Sequence, residues 1–368
     1  MKSGEIYSSL RSLLSSFLSF DMAVDFGSEQ MRIFVKDKGL VIKEPTVVAR
    51  QKGKVKRRFS TAKNKQEVLA VGTKAYRMLG KQPKNIEVVR PISRGVVVDF
   101  DAAFYFVDYF FSLIREIPHR FPRLVGPRVI VGVPSSATEV ERRAVKSLLE
   151  RAGAREVFLV EKPLLAAAGS GLDLGKSKGI FLVDLGGGTS EIAVISLGGI
   201  VVGRCLGIGG LKADERIVNF LRLKYGVVVG YQSAHRLKEE AGSLIPGNKE
   251  RSMVIRGRDL GSGLPKSLRV REAEVREALA PLAQEIVAAA KEVLEESPPE
   301  LTQDFLQQGV VLTGGFARLD GFDKLVSQEL GIPAWLSPSP QLATVKGAAK
   351  LLDNPSLLRR VRLVAGLK

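Results

Sequence analysis

Two stretches far apart in this chain repeat one local design. Val24-Asp25-Phe26-Gly27 and Val183-Asp184-Leu185-Gly186-Gly187-Gly188 each run out of an apolar strand through an aspartate into a glycine turn, and a second strand follows. A chain with this echo is held to two α/β halves that open in the same way. The 368 residues are too many for one ordinary domain and enough for two, each with its own core.

Periodicity fills in the rest. Met22–Phe26 and Met31–Lys36 read as a hairpin around Gly27-Ser28, and Leu40–Ile42 continues it after the Asp37-Lys38-Gly39 turn. A helix at 101–116 leads to a buried strand at Arg128–Val133. Ser136 has Glu139 three residues on, a capping-box spacing that predicts a helix from there to about Ala152, followed by a strand at Val157–Val160. The second half predicts strands at Gly179–Asp184 and Glu191–Ser196, helices at 212–225 and 233–243, and a strand-like Gly/Ser/Pro-rich stretch at 246–270. A long helix at 271–295, a strand at Gly309–Thr313, the pair Gly314-Gly315 and a helix from about Gly321 close the pattern.

Composition excludes several chemistries. Cys205 is the only cysteine, so no internal disulfide forms, which fits a reducing cytoplasm. His119 and His235 are the only histidines and lie far apart, leaving little for a zinc site or a Ser-His-Asp triad. No stretch holds the ~20 uninterrupted apolar residues of a membrane-spanning helix. The net charge of +17 calls for an anionic partner or a solvated face. It is densest where Lys52, Lys54, Lys56, Arg57, Arg58 and Lys63 crowd one loop, either a solvated hairpin tip or a patch facing phosphate or lipid. No basic motif interleaved with aromatics appears, so no specific nucleic acid is expected. Near the start, Ile6, Leu10, Leu13, Leu14, Phe17, Leu18 and Phe20 share one helical face while serines and Arg11 take the other. A segment of this kind docks on its own domain or lies in a membrane interface, and its terminal place favours the membrane.

The repeated turns carry the chemistry. Glycine lets backbone N–H groups approach phosphate oxygens, and hydroxyls add donors: Ser28 in the first turn, Thr189 and Ser190 in the second. Asp25 and Asp184 stand at strand ends, suited to hold Mg2+ through its water shell. Leu312-Thr313-Gly314-Gly315, a strand running into paired glycines and a helix, offers further N–H groups and a flat approach for adenine.

IKEPTVVA at 42–49, RPISRGVVVDF at 90–100 and VGVPSSATEVERRAV at 131–145 carry a resemblance, as do AGAREVFLVEKPLLAAAGSGL at 152–172, FLVDLGGGTSEIAVISLGGIVV at 181–202 and VVLTGGFARLDGFDKL at 310–325. GSGLPKSL at 261–268 and PPELTQD at 298–304 agree with it. Over roughly residues 21–355 the chain resembles the actin-like ATPase superfamily and, within it, the MreB family of rod-shape-determining bacterial actins. The resemblance implies an actin-like (duplicated ribonuclease-H-like) two-domain α/β fold with a nucleotide cleft between domains. It implies an amphipathic membrane helix at 1–20, domain I at 21–168 with a small subdomain at about 44–92, domain II at 169–340 with a small subdomain at about 212–272, and a C-terminal helix at 341–368 returning to domain I. ATP and Mg2+ would be the cofactors, with slow ATP hydrolysis coupled to polymerisation. The partners would be further copies of the chain, anionic lipid on the cytoplasmic face of the inner membrane, and cell-shape or cell-wall elongation proteins.

Roles transfer position by position. Asp25 and Asp184 would hold the Mg2+–phosphate unit, while Gly27, Ser28, Glu29 and Gln30 form one phosphate loop and Gly186, Gly187, Gly188 and Thr189 the other. Glu141 matches the carboxylate that positions the attacking water, and Thr189 lines the γ-phosphate. Gly209 and Gly210 join the nucleotide site, Gly314, Gly315 and Phe316 border the adenosine, and His235 and Lys238 approach it. Five positions depart from the family pattern. Glu29 and Gln30 stand where small or amide residues are usual, and Leu211 replaces an acidic residue. His235 replaces the glutamate that grips ribose, and Phe316 replaces a third glycine. Two functional readings stay open: a hydrolysing filament, and a nucleotide-binding but non-hydrolysing filament or scaffold. A DnaK-type chaperone would need a substrate-binding domain that the short stretch after Asp353 does not hold, and a sugar or acetate kinase would need a cleft base and insertions.

Overall fold

The computed structural model describes residues 20–52, 68–117, 125–247 and 251–361. Ile6, Leu10, Leu13, Leu14, Phe17 and Leu18 lie outside the described residues, as do Lys54, Lys56, Arg57, Arg58 and Lys63 of the basic loop. No helix among the described residues is long and apolar enough to cross a membrane. The chain divides into two compact units. Unit 1 gathers the chain up to Val133, Ala137–Glu161, and the chain from Val345 onward; unit 2 gathers Pro134–Ser136 and Lys162–Thr344.

Unit 1 begins with three antiparallel strands, β1 (Met22–Phe26), β2 (Gln30–Val35) and β3 (Gly39–Pro45). A smaller sheet follows, built from β4 (Val48–Gln51), β5 (Val68–Val71) and β6 (Ile86–Val89), then the short pair β7 (Ile92–Ser93) and β8 (Val96–Val97). β9 (Arg128–Val133) and β10 (Glu156–Glu161) complete the main sheet in the order β10-β9-β1-β2-β3, with β9 parallel to β1. β1 is central and buried along its whole length, which explains its near-continuous apolar run. The helix Phe100–Glu116 starts on Asp99, whose carboxylate accepts from the Ala102 N–H, and sends Phe106, Phe110, Phe111 and Ile114 into the core. The helices Ala343–Leu352 and Pro355–Val361 end the described chain, and Lys36 pairs with Asp353 between them at 2.7 Å.

Unit 2 repeats the plan. β11 (Ile180–Leu185), β12 (Ser190–Ser196) and β13 (Gly199–Leu206) run antiparallel. A second small sheet holds β14 (Val227–Val228), β15 (Ser252–Asp259) and β16 (Pro265–Arg271). β17 (Val310–Thr313) lies parallel to β11, and β18 (Ala334–Leu336) lies beyond it, giving the order β13-β12-β11-β17-β18. Each unit thus has a central strand with its antiparallel hairpin partner on one side and a parallel strand on the other. The repeated sequence design is a repeated topology. Helices Gly210–Tyr225, Tyr231–Ala241 and Glu272–Glu295 bury their apolar sides in one core with β11 and β12.

Three readings need correction. The helix expected from Ser136 begins at Glu139 with Thr138 as its cap. Two overlapping Ser/Thr-x-x-Glu spacings compete there, and Thr138–Glu141 forms the reciprocal box while Ser136 hydrogen-bonds the Cys205 thiol instead. The C-terminal segment, expected as one helix, is two, since Asn354 accepts from Leu357 N–H and starts a new turn before Pro355. Helix Lys162–Gly169, expected with the first domain, falls in unit 2, where it packs on β11 and β12.

Candidate functional site

In unit 1, Asp25 and Arg32 face each other across the β1–β2 register and form an ion pair at 3.2 Å. The Gln30 amide oxygen accepts a second Arg32 N–H at 3.0 Å. Gly27 is obligatory: a Cβ there would stand 2.3 Å from the Gln30 carbonyl oxygen. Its own carbonyl accepts from the Thr46 hydroxyl at 2.7 Å, and the Glu29 carbonyl accepts from the Thr46 N–H at 2.9 Å, which fixes the turn from behind. Ser28 is buried, and its Oγ accepts from the Gly95 N–H at 2.9 Å. As an acceptor this hydroxyl ties the turn to the β7–β8 hairpin, and its own proton remains for a further acceptor.

Glu141 also has a structural task. Its Oε2 accepts from the Thr138 N–H and the Thr138 hydroxyl, both at 2.8 Å, while its N–H donates to Thr138 Oγ1 at 3.3 Å. Nearby, burial raises the pKa of Glu161 and Arg142 opposes that shift.

In unit 2 the turn after β11 is locked to the start of a helix. The Gly186 N–H donates to the Thr189 carbonyl at 2.8 Å. The Gly186 carbonyl accepts from Gly210 N–H at 3.0 Å, and the Gly187 carbonyl from Leu211 N–H at 2.9 Å. A Cβ on Gly209 would lie 2.4 Å from the Gly186 oxygen, so this contact exists only with glycine. The positive end of the Gly210–Tyr225 helix thereby stands against the Gly186–Thr189 turn. Asp184 accepts from the Thr313 hydroxyl at 2.9 Å, tying β11 to β17. Gly314 has φ +87, donates to the Pro340 carbonyl at 2.9 Å, and leaves no room for a Cβ, which would meet the Leu185 oxygen at 2.1 Å. Gly315 has open space beside its Cα.

Asp214 does what Leu211 cannot. One helical turn on, it is buried, takes the Lys238 ammonium at 2.7 Å and meets His235 Nδ1 at 3.0 Å. Lys238 is buried too, and donates to the Gly210 carbonyl at 2.8 Å. Its Nζ lies 5.7 Å from the centre of the Phe316 ring. Phe316 is 5% exposed and packs edge-on to Phe322, so its ring belongs to the core. Only its backbone is free to border a ligand.

Glu191 was not singled out from the sequence. It is 1% exposed, faces Asp184 across the β11–β12 register, and faces Cys205 across β12–β13. Its Oε2 accepts from the Ser135 N–H at 2.9 Å and the Ser135 hydroxyl at 2.8 Å, whereas Oε1 is buried with no hydrogen-bond partner among the described residues. Burial pushes its pKa up to about 7, against the lowering by the Ser135 N–H and the buried Lys162, and Asp184 raises it further. Burial and the Glu191 carboxylate push the Cys205 thiol up to about 11. A lone acid at the head of an apolar run would have found Glu191, since Ile192, Ala193, Val194 and Ile195 follow it in β12.

These residues fit a nucleotide carrying its own metal better than a free cation. Among the described residues no three His, Cys, Asp or Glu side chains cluster as metal ligands. Within unit 2, Asp184 beside the Gly186–Thr189 turn is a carboxylate of the kind that suits Mg2+, which keeps most of its waters and leans on substrate phosphates. The glycine contact at Gly209 and the open flank of Gly315 leave bare backbone for phosphate and a flat base.

Comparison with known proteins gives a consistent result. The family description MreB/Mbl protein matches residues 19–360. The chain is 40% identical over 335 residues to the cell shape-determining protein MreB of Escherichia coli (strain K12), covering 91% of this chain and 94% of that one. It is 37% identical over 343 residues to the cell shape-determining protein Mbl of Bacillus subtilis (strain 168), covering 93% and 98%. Among solved structures, MreB5 of Spiroplasma citri bound to ADP superposes with a TM-score of 0.83 at 29% identity, over 93% of this chain and 98% of that one. A MamK double helical filament superposes with a TM-score of 0.73 at 19% identity, over 91% and 99%, a likeness of fold. The mixed α/β, actin-like fold expected from the sequence is the fold found.

Proposed function

The chain belongs to the MreB/Mbl family, and on that premise we propose that it is a bacterial actin that binds ATP with Mg2+ and polymerises into filaments serving cell shape and cell-wall elongation. The observation that carries this reading is the glycine-only contact of Gly209 with Gly186, which presses a helix N-terminus against the Gly186–Thr189 turn. The S. citri relative was crystallised with ADP and with AMPPNP, which supports the same ligand class here. Asp25 and Asp184 would hold Mg2+ through water, and the metal would neutralise charge on the phosphates. Gly27, Gly187 and Gly188 would present N–H groups to those phosphates, and Thr189 its hydroxyl. Gly314 and Gly315 would pass the base along bare backbone, with Lys238 holding Gly210 in place rather than touching the ligand. Glu141 would orient the attacking water with the oxygen that Thr138 leaves open.

Attachment to anionic lipid on the cytoplasmic face of the membrane would rest on the segment around Leu10, Leu13, Leu14 and Phe17, repeated along a filament so that weak anchors act together. A second reading, a filament that binds nucleotide without hydrolysing it, draws on Glu141 being bound to Thr138 and on His235 being held by Asp214. One experiment separates the two. Phosphate release and pelleting are measured with ATP·Mg2+ on anionic liposomes for the wild type and Glu141→Ala. A wild type that pellets and releases phosphate, beside a mutant that only pellets, supports the hydrolysing filament. Pelleting without phosphate release in both supports the second reading, and no assembly under any nucleotide condition refutes polymerisation.

A further inference from the structure

The Glu191 carboxylate is a buried acid of unit 2 that the nucleotide reading leaves without a task and that, unlike buried Glu272 with Arg251 and Arg276, has no ion pair among the described residues. Its surroundings are specific. β12 leaves the Gly186–Thr189 turn, so Glu191 is two residues from Thr189 and directly opposite Asp184. What it binds, however, is neither of these. Both hydrogen bonds to Oε2 come from Ser135, one from the backbone and one from the side chain. Ser135 lies in Pro134–Ser136, a three-residue segment that groups with unit 2 although the chain on both sides of it, up to Val133 and from Ala137, groups with unit 1. Ser135 gives both its hydrogen bonds to this one carboxylate oxygen, and the next residue, Ser136, hydrogen-bonds the Cys205 thiol opposite Glu191.

A carboxylate is a costly choice for that work. Burying a charged group is unfavourable unless it is paired and hydrogen-bonded, and among the described residues Oε1 has no hydrogen-bond partner. What the side chain supplies is one oxygen, at the right reach from β12, that takes two donors from one residue and so fixes both the position and the rotation of Ser135. Three residues further on, Thr138 caps the helix that carries Glu141. A path therefore runs from the Gly186–Thr189 turn along β12 to Glu191, by hydrogen bonds to Ser135, by three peptide links to Thr138, and by hydrogen bonds to Glu141.

We propose that Glu191 is a positioning residue: it fastens the Pro134–Ser136 connector to the strand that leaves the Gly186–Thr189 turn, and so fixes the origin of the segment that presents Glu141. The proposal rests on the hydrolysing reading for its effect on turnover, but the fastening itself is a separate, measurable property. Glu191 touches no reacting atom in this scheme. Its loss should lower turnover without lowering nucleotide affinity, which distinguishes it from a residue that supports the fold or the ligand.

The test uses the full chain and four variants: Glu191→Ala, Glu191→Gln, Ser135→Ala and the Ser135→Ala/Glu191→Ala double. Three quantities are read: steady-state phosphate release with ATP·Mg2+, affinity for a fluorescent ATP analogue, and hydrogen exchange in the peptide covering 131–138. Glu191→Ala should release phosphate at least about tenfold more slowly with affinity within about twofold, and exchange in 131–138 should rise at least about tenfold. Glu191→Gln keeps an oxygen for Ser135 and should recover most of both. Ser135→Ala should fall between, and the double should be no worse than Glu191→Ala, because the two side chains act through one contact. Unchanged exchange in 131–138 in Glu191→Ala, or additive losses in the double, overturns the proposal. So does a loss of turnover matched by an equal loss of affinity. If Glu191→Ala does not fold, Ser135→Ala decides on the same readouts. A wild type that releases no phosphate refutes the hydrolysing reading alone, and exchange in 131–138 still decides whether Glu191 fastens the connector.

Discussion

The Lys238 ammonium stands 2.7 Å from the Asp214 carboxylate, with the lysine side chain 8% and the aspartate side chain 5% exposed. Two helices are joined by this pair, Gly210–Tyr225 and Tyr231–Ala241, and the same lysine closes on the Gly210 carbonyl. Removing one member of a buried pair strands the other, at a cost of about 3–5 kcal/mol. Lys238→Met should therefore lower the free energy of urea unfolding by about 3 kcal/mol. It should also weaken binding of an ATP analogue, since Gly210 loses its tie. Undiminished stability would mean that His235 alone satisfies Asp214.

Gly209→Ala tests the turn without changing charge. The added methyl would meet the Gly186 oxygen at 2.4 Å, backbone against backbone, so the helix start or the turn must shift. Overpacking of this kind costs about 1–3 kcal/mol. Nucleotide affinity should fall about ten- to a hundredfold while circular dichroism stays that of the wild type. Equal affinity would show that the Gly186–Thr189 turn does not contact the ligand.

Glu141 combines a cap with a proposed role in hydrolysis, and two variants pull them apart. Thr138→Ala and Glu141→Ala each break the capping box and should each cost about 1 kcal/mol of stability. Phosphate release should fall about a hundredfold in Glu141→Ala and stay near wild type in Thr138→Ala. Equal loss of phosphate release in both would make the carboxylate a cap and nothing more.

The raised pKa of Glu191 has a thermodynamic signature. Its ordinary value is 4.5 and burial takes it to about 7, so between those values the unfolded chain gives up a proton that the folded chain keeps. The folded state binds more protons, and stability falls as pH rises through this window, then levels off above it. At 1.36 kcal/mol per unit the loss is bounded at about 3 kcal/mol. Glu191→Gln should abolish that slope, and its stability relative to wild type should improve from pH 4.5 to pH 8. A wild-type slope retained in the mutant would place the titration elsewhere.

Cys205 should be sluggish. With its thiol pushed up to about 11, little thiolate exists at pH 8. An aromatic disulfide reagent should label the folded protein slowly and the urea-unfolded protein at once. Rapid labelling of the folded state would mean that β13 opens readily.

Much of this site is written in residues whose geometry leaves few choices. Asp25-Phe26-Gly27 and Asp184-Leu185-Gly186 are legible because a glycine after an apolar strand has one economical use, a tight hairpin. Side-chain direction is not legible in the same way. Ser28 points inward and Phe316 packs in the core, and neither fact follows from its neighbours in sequence. Asp214 was hidden because its partners, His235 and Lys238, lie on another helix. β13 was missed since Leu197-Gly198-Gly199 looks like the end of a strand, whereas Leu197 at φ 51 and Gly198 at φ 80 turn the chain into a further one. The overlap of Ser136–Glu139 with Thr138–Glu141 was not legible, because the hydroxyl of Ser136 is taken by Cys205 on a distant strand.

The division of the chain also sets an order of manufacture. Unit 2 is nearly contiguous, from Lys162 to Thr344, while unit 1 needs Val345 onward to be complete. Domains ordinarily finish in the order in which they leave the ribosome, at about 5–20 residues per second. Here the half begun first is finished last, because Asp353 must arrive before Lys36 has its partner, and Val361 is buried only then. A nascent chain stalled just past Thr344 would carry a closed second half and a first half still lacking its last two helices, so the surface those helices cover stays open until translation is almost done.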